Sequence, residues 1–362
     1  WVGYVNLKVG GLTPPQGTIL RVTSADINLK QDITTPNVID GRIDKTVYQL
    51  GPKIIEGNLS LPVIADVDPS DFAGGCVSSE DLKSGTAGTL LNTVWCWTTA
   101  RSSHGRLSWK GDIEIRYANH AAFTFTNAVV NTLSMSVKQS DIVNFDLNVI
   151  GESRIRALDP FNSPKISDFL SPARVLTWND VTISGVGGCG SGDGTTSALF
   201  ESAQLREFNM EINNNAERYY SLNGRLYPLD INVSKREITG SMTLLGLQDR
   251  LRVRAENQQD NFTRKDEIRM MFFIGDEAVT STTDPNATDR SRDWFDLTDE
   301  PVTKSSAVPF FWKKFTGVIF KIEEMSLTND VYETKVGWLG LASDQENYQA
   351  ISNSNCDFPH WK

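Results

Sequence analysis

The chain has few cysteines and histidines and no long apolar run. Its 362 residues include 4 cysteines and 3 histidines, and no C-x-x-C pair occurs, so the usual spacing of a zinc site is missing. No apolar run reaches membrane-spanning length, so we expect a protein that is not integral to a membrane. The N-terminus has neither a basic region nor an apolar stretch. We therefore expect no signal peptide and, because the initiator Met is missing, some residues before Trp1.

A basic surface is also lacking. The chain has 35 Lys and Arg residues against 45 Asp and Glu residues, a net charge of -10. Proteins that bind nucleic acid tightly use an excess of cations to displace counterions from the phosphates. The composition therefore argues against tight binding of nucleic acid, whereas an acidic protein is suited to lie near DNA without adhering to it.

Sequence motifs of catalysis are missing as well. There is no nucleophile elbow, no Walker lysine follows the glycine-rich stretch at 185–194, and no histidine stands beside a suitable serine or cysteine. Carboxylate pairs such as Asp40 with Asp44 are expected by chance in so acidic a chain. We therefore predict no enzyme, no catalytic residues, no cofactor and no metal site, and we interpret the glycine-rich stretch as a mobile loop.

What the chain does contain is one pattern that occurs twice. Residues 22–61 and 205–244 align without a gap at a separation of 183 positions. The matching positions include Ile27 with Met210, Asp40-Gly41-Arg42 with Asn223-Gly224-Arg225, and Ile55-x-Gly57-x-Leu59 with Ile238-x-Gly240-x-Met242. A gapless match of apolar positions and turn residues indicates one structural unit that is present twice.

Within both copies, apolar and polar residues alternate over long stretches. Such a period of two predicts half-buried β-strands, at about 20–30, 52–63, 203–213 and 235–246. One face of these strands is apolar, and the other carries amides, hydroxyls and more carboxylates than cations. The candidate residues on this polar face are Asp26, Asn28, Glu56, Asn58, Glu207, Asn209, Glu211, Glu237 and Ser241. An ordinary solvated sheet face has a similar composition, but its repetition in both copies favours a shared role.

The pattern predicts a mainly β fold with two tandem β-barrel or β-sandwich domains. Each domain has one short helix, at about 89–98 in the first and 247–258 in the second. The predicted boundaries are a first domain at 1–152, a linker at 153–173, a second domain at 174–345 with a surface insertion at about 276–309, and a C-terminal arm at 346–362.

The alternating strand, the following turn and the next strand resemble the tail tube proteins of tailed bacteriophages. Lys53-x-Ile55-Glu56-Gly57 and Arg236-x-Ile238-Thr239-Gly240 carry the resemblance. It implies a structural protein of the virion tail, similar in fold to the type VI secretion tube protein and assembled in the host cytoplasm. Most members of the family have one such domain per chain and form six-membered rings. Two domains in one chain imply three chains in each pseudo-hexameric ring.

The resemblance also implies partners and residue roles. The partners are further copies of this chain stacked into a tube, sheath or baseplate, tip and terminator proteins, and genomic DNA that passes without specific binding; no membrane is involved. The residues of the polar face would line the lumen. Loops with Gly41 and Arg42, and with Gly224 and Arg225, would reach the adjacent ring.

Two of the cysteines stand in polar or glycine-rich segments that we interpret as mobile. Cys189 lies in the glycine-rich stretch, and Cys356 lies in the C-terminal arm. Exposed thiols on mobile segments can pair once a particle reaches an oxidising medium. Cys189 and Cys356 are therefore candidates for disulfides between neighbouring chains, while free thiols are the simpler interpretation.

Two other interpretations remain open. A trimeric baseplate hub or tube adaptor also carries two tube-like domains. A carbohydrate-binding β-sandwich would use some of the 9 tryptophans to stack on sugars. Against the second, Trp95, Trp97, Trp109 and Trp178 fall in regions predicted to be structured, where tryptophan more often packs in a core.

Overall fold

Antiparallel strands dominate the computed structural model of the chain. The described residues are 4–9, 18–20, 22–34, 48–65, 94–95, 97–99, 110–117, 121–157, 174–189, 197–200, 204–246, 249–257, 265–275, 307–328, 331–340 and 351–352. Every strand pair among them is antiparallel, and the sheets of the single chain do not close into a barrel. The predicted mainly β fold class with short helices is therefore confirmed.

The strands are numbered here in chain order. They are β1 Tyr4–Val9, β2 Thr18–Leu20, β3 Ser24–Thr34, β4 Gln49–Pro62, β5 Ile64–Ala65, β6 Gly111–Tyr117, β7 Ala121–Lys138, β8 Asn144–Gly151, β9 Ser153–Ala157, β10 Arg174–Val175, β11 Val181–Cys189, β12 Ser197–Phe200, β13 Leu205–Asn213, β14 Ala216–Tyr219, β15 Asp230–Val233, β16 Glu237–Leu245, β17 Lys265–Gly275, β18 Ala307–Thr328, β19 Val331–Gly340 and β20 Ile351–Ser352. Residues 94–95 and 97–99 are helical, and helix α1 spans Asp249–Asn257.

Eight strands form one continuous sheet that runs through both halves of the chain. Their order is β3-β4-β8-β7-β13-β16-β19-β18. Strand β7 joins the halves, because its second part pairs with β8 on one side and with β13 on the other. At this joint Met135 lies opposite Met210, and Leu133 lies opposite Ile212. Among the described residues, β3 and the second part of β18 are the two open edges of the sheet.

The long strands β7 and β18 each continue into a second sheet. The first part of β7 pairs with β6 and β9, and the first part of β18 pairs with β17 and β20. Apolar side chains of these second sheets and of the eight-stranded sheet belong to one buried cluster, which includes Ile113, Phe125, Leu59 and Phe315. The apolar face of the eight-stranded sheet is therefore covered.

The same residue pairings recur at the separation seen in the sequence. Ile27 lies opposite Gly57, and Met210 lies opposite Gly240. A Cβ atom on Gly57 would stand 1.9 Å from the backbone oxygen of Asp26, and one on Gly240 would stand 2.3 Å from that of Asn209. Both glycines are therefore required by a close approach of the neighbouring strand, which explains why both copies of the pattern carry one.

The glycine-rich stretch at 185–194 is part of a strand over its first residues, so the predicted mobile loop is wrong there. Gly185 lies opposite Phe200 of β12, and the other edge of β11 pairs with β17. A Cβ atom on Gly185 would stand 2.2 Å from the Phe200 ring, and one on Gly187 would stand 2.9 Å from Leu199. The glycines here allow neighbouring side chains to pack closely. Composition alone does not show whether a glycine-rich stretch is closely packed or mobile. Residues 190–194 lie outside the described residues.

The start of the predicted linker is also a strand. Ser153–Ala157 forms β9 beside the first part of β7, and the Thr126 and Ser153 hydroxyls lie 2.6 Å apart. Residues 351–352 of the predicted C-terminal arm pair with β18 of the same chain. The prolines of the linker, the rest of the arm and most of the 276–309 insertion lie outside the described residues.

Lys313 is a lysine buried within the core. Its side chain is almost wholly enclosed, and its Nζ lies 5.7 Å from the centre of the Trp95 ring. Removal from water disfavours an ammonium group, and this burial lowers the pKa of Lys313 to about 7. The folded chain thus releases a proton that the unfolded chain still holds at neutral and mildly alkaline pH.

We expect Lys313→Met to raise the free energy of unfolding in a pH-dependent way. The folded-state pKa lies below the ordinary value of 10.5, so the cost of Lys313 is full below about pH 7 and fades as pH rises toward 10.5. Urea unfolding of the wild type and the variant should differ by about 2–4 kcal/mol at pH 6.5 and by much less at pH 10. A difference that stays constant with pH would contradict the proposed titration.

Candidate functional site

The polar side chains of the eight-stranded sheet lie on one face that continues through both halves of the chain. One row of directly opposed residues consists of Asp26, Asn58, Asn148, Thr132, Asn213 and Glu237. A second row consists of Ser60, Asp146, Ser134, Glu211 and Thr239. Because opposed residues project to the same side of a sheet, these rows define a single polar surface, which we call the polar face.

All nine residues that the sequence assigned to a polar face lie on this surface. Asn28 is opposite Glu56, Asn209 is opposite Ser241, and Glu207 is opposite Lys138. Their exposure differs: Asp26, Asn28, Asn58, Glu211 and Glu237 are exposed, and Glu56, Glu207, Asn209 and Ser241 are partly exposed. Asp146 belongs to the same surface, although the sequence argument did not single it out.

Glu56 differs from the other carboxylates because two cations bind it. Lys30 Nζ lies 2.9 Å from one of its oxygens, and Arg218 Nη2 lies 3.1 Å from the other. The hydrogen bond from Lys30, followed by that from Arg218, holds the pKa of Glu56 below its usual range. Arg218 also donates to the backbone oxygen of Ile55. Glu56 is thus a link between the two halves of the chain rather than a free charge.

The remaining carboxylates make the polar face negative. Within the described part of the chain, Asp26, Asp146, Glu211 and Glu237 form no ion pair with another described residue. Lys30 is paired with Glu56, and Lys335 with Glu324 at 2.8 Å. Lys138, opposite Glu207, and Lys321, in the row of Ser241, are exposed cations of the same face, and the four carboxylates outnumber them. The face therefore offers an anionic surface that repels other anions nearby.

The hairpin β14–β15 of the second half is fixed on the first half of the same chain. The backbone N–H of Lys53 donates a hydrogen bond to the backbone oxygen of Leu226 over 2.7 Å. The Tyr220 hydroxyl donates to the backbone oxygen of Lys53 over 3.2 Å. Lys53 Nζ also stands 4.6 Å from the Tyr227 ring centre. The tip of the hairpin, with Gly224 and Arg225, is exposed. Of the predicted inter-ring residues, Gly41 and Arg42 lie outside the described residues.

Lys110 forms ion pairs that also connect this hairpin to the first half. Its Nζ lies 2.6 Å from Glu152 of the first half and also binds Asp230 at the start of β15. Desolvation acts to lower the pKa of Lys110, but the hydrogen bonds to Asp230 and Glu152 outweigh it and raise that pKa above its usual value. Lys110 is therefore held as a cation, and the two carboxylates share it.

A small apolar cluster completes this attachment on the polar face. Val129 and Ile150, which lie opposite each other, are buried by Ile231 of the hairpin, and Ala216 packs against them. Ile150 is also opposite Glu56, so the cluster lies beside the carboxylate that Arg218 binds. We call these four residues the inter-half cluster.

The two open edges of the eight-stranded sheet differ from the joint in the middle. Met135 and Val137 of β7 are buried at the joint with β13, with 2% and 7% of their surface exposed. Met325 and Leu327 of β18 stand on the corresponding edge, where no other described strand pairs with them, and 50% and 57% of their surface is exposed. Alternation in the sequence gives no signal of where a sheet ends.

No metal site or membrane span emerges from the described part of the chain. It contains no group of three or more His, Cys, Asp or Glu residues placed to hold a metal ion. None of its helices is long and apolar enough to cross a membrane. Cys189 ends β11 opposite Lys265, whereas Cys356 lies outside the described residues. A disulfide between neighbouring chains through either cysteine stays a prediction.

Comparison with known families identifies the class of protein. A family model described as phage tail tube protein matches residues 97–293, which is more than half of the chain. The chain therefore belongs to the phage tail tube protein family and is a structural component of the virion tail. Among curated proteins, none matches this chain.

Proposed function

We propose that three chains join edge to edge into a closed ring, and that such rings stack into a tail tube through which DNA is ejected. The observation that carries this proposal is the joint between β7 and β13 inside the chain. There, the sheet of one half continues into the sheet of the other by ordinary antiparallel pairing. An open strand edge readily pairs with another strand, so the same joint can form between chains.

The internal joint predicts a register for the joint between chains. The second part of β18 follows β7 at a separation of 190 positions, and β3 precedes β13 by 183. Since Met210 pairs with Met135 within the chain, Ile27 of one chain pairs with Met325 of the next. In the same way Ala25 pairs with Leu327. This treats 1–152 and 174–345 as tandem copies of one domain, which their equal pairing registers support.

Three chains of this kind give a barrel of suitable width. Each chain contributes eight strands, so a ring of three has about 24, enough for a water-filled channel rather than a packed interior. Closure also removes both open edges, which otherwise favour aggregation. Six similar domains in three chains make the ring pseudo-hexameric.

The polar face then lines the lumen. The second sheets cover the apolar face, so only the polar face remains for the channel wall. Its carboxylates repel phosphate over roughly 8 Å at physiological salt, and DNA slides without specific binding. The exposed hairpin tip with Gly224 and Arg225, and the loop with Gly41 and Arg42, contact the adjacent ring. Tube assembly occurs in the host cytoplasm, with sheath or baseplate, tip and terminator proteins as further partners.

The alternatives make different predictions. A trimeric hub or adaptor would close the same edges, but its rings would not stack. A sugar-binding sandwich would need accessible aromatic rings. Trp95 and Trp97 are fully buried, as expected, but the expectation is wrong for Trp178, which is 38% exposed, and Trp109 lies outside the described residues. Electron microscopy of the purified chain tests the proposal: stacked rings support a tube, single rings support a hub, and dispersed single chains at high concentration contradict both.

Glu237→Lys is expected to slow DNA ejection while leaving the tube intact. Glu237 is exposed on the polar face and has no ion pair with another described residue, so the substitution places a cation where phosphates pass. The double variant Glu211→Lys with Glu237→Lys should slow ejection further. The rate of DNA release from particles carrying the variants measures the effect, with a severalfold decrease expected at low salt and a smaller one at high salt.

Glu256→Lys is the matched control. Glu256 is an exposed carboxylate on helix α1, away from the polar face, and its replacement changes the net charge by the same amount. If Glu237→Lys and Glu256→Lys release DNA at the same rate as the wild type, the polar face does not line the channel.

A further inference from the structure

The inter-half cluster has a set of exposed counterparts at the two ends of the chain. Ala216 and Ile231 lie 183 positions after Ile33 and Tyr48, and Val129 and Ile150 lie 190 and 189 positions before Ile319 and Leu339. The pairings agree as well: Val129 is opposite Ile150, and Ile319 is opposite Leu339. The counterparts therefore occupy equivalent places in the strand network.

These counterparts, unlike the inter-half cluster, are uncovered. Ile231 is 3% exposed, whereas Tyr48 at the equivalent position is 68% exposed. Ile33 and Leu339 are 64% and 39% exposed, and Ile319 is partly exposed. Apolar side chains grouped in this way on an otherwise polar surface indicate a protein contact.

The hairpins that carry these residues share a pairing register, although β14–β15 forms a sheet of its own and β3–β4 belongs to the large sheet. Ala216 pairs with Val233 in the hairpin β14–β15, and Ile33 pairs with Leu50 at the far end of the hairpin β3–β4. The first hairpin extends from β13, which pairs with β7, and covers residues of β7 and β8. The second extends from β3, whose proposed neighbour is β18 of another chain. In the proposed ring, the equivalent placement brings it to residues of β18 and β19 in that chain.

We infer that Ile33 and Tyr48 of one chain pack on Ile319 and Leu339 of the next, forming a second copy of the inter-half cluster between chains. This inference rests on the proposed ring and names a contact beyond the paired strand edges. Tyr48 takes the place of Ile231, and Ile33 takes the place of Ala216. The larger side chains suit a junction in which two separate molecules must find each other, because they bury more apolar surface.

The polar part of the internal attachment is not copied. The buried amide of Asn214 donates to the backbone oxygens of Thr98 and Val130 and accepts from Arg236. Its counterpart Gln31 instead donates to Gly51 of its own hairpin over 3.1 Å. The contact between chains therefore depends mainly on the apolar residues, which makes assembly sensitive to their replacement.

Charge substitutions at Tyr48 and Leu339 test the contact. Both side chains are exposed in the single chain, so Tyr48→Glu and Leu339→Glu should leave its circular dichroism and melting temperature unchanged. Each should raise the protein concentration needed for ring assembly at least about tenfold, as expected when a charge is buried in an apolar contact. The double variant Tyr48→Glu with Leu339→Lys should assemble at lower concentration than Tyr48→Glu with Leu339→Glu, because only the former places opposite charges together.

The outcomes separate this inference from the proposed ring. Val253→Glu, at an exposed apolar position on helix α1, should assemble like the wild type. If the wild type forms rings and the Tyr48 and Leu339 variants do so at the same concentration, the contact is wrong and the ring stands. Equal assembly of the two double variants also contradicts the contact. A wild type that stays monomeric under all conditions overturns the ring and the contact together.

Discussion

Gly57→Val and Gly240→Val are each expected to prevent the chain from reaching its native structure. A Cβ on Gly57 would stand 1.9 Å from the Asp26 oxygen and 2.4 Å from the Ile27 Cα, and one on Gly240 would meet the Asn209 oxygen at 2.3 Å and the Trp338 ring at 2.4 Å. Backbone atoms of a central sheet cannot move aside without breaking the pairing. We expect a loss of more than about 4 kcal/mol, seen as insoluble expression or a lost cooperative melting transition.

Gly224→Asn is the control for glycine replacement as such. Gly224 has a φ of +78° at the tip of the hairpin, and a Cβ there would meet nothing within 4 Å. Asn is tolerated in this left-handed conformation, so the melting temperature of the Gly224→Asn variant should stay close to that of the wild type. If Gly57→Val or Gly240→Val melts within a few degrees of the wild type, the strands do not approach as closely as described.

Met325→Glu is expected to abolish ring assembly without unfolding the chain. Met325 stands half exposed on the open edge of β18, so a carboxylate there remains in water in the single chain. In the proposed ring it lies opposite Ile27, on the apolar side of the sheet, where an unpaired charge is costly. Sedimentation should show single chains at concentrations where the wild type forms rings, with unchanged circular dichroism.

Met135→Glu provides the matched comparison at the internal joint. Met135 occupies the position in β7 that Met325 occupies in β18, but it is buried against Met210. The same substitution should therefore cost about 3 kcal/mol or more in the free energy of unfolding of the single chain. Normal ring assembly by Met325→Glu would show that the β18 edge is not used between chains.

Local features of the fold could be predicted because they depend on neighbours along the chain. The alternation around Ile27 and around Met210 predicted strands and their faces, and both residues are buried. The stretch at 185–194 shows the limit of that approach. Its glycines indicated a loop, but Gly185 and Gly187 lie in β11 beneath Phe200 and Leu199, because tertiary packing leaves no space for a side chain.

The sequence could predict which residues form the polar face but not which distant residues contact them. The nine polar-face residues follow from a period of two, whereas the ion pair between Arg218 and Glu56 joins residues far apart in sequence. Arg218 stands in a short hairpin with no distinctive motif. The exposed positions of Tyr48 and Leu339 were equally unpredictable, since apolar residues in strands are usually assigned to the core.

By itself, the sequence determined the strands, their two faces, the repeated pattern and the acidic character of one surface, because side-chain alternation and charge are local properties of the chain. Only the tertiary structure decided that β7 joins β13, that the polar rows of both halves form one surface, and that no second described strand pairs with β3 or with the second part of β18. Strand pairing is made by backbone hydrogen bonds between distant segments, and the same alternating pattern suits a central strand and an edge strand equally well.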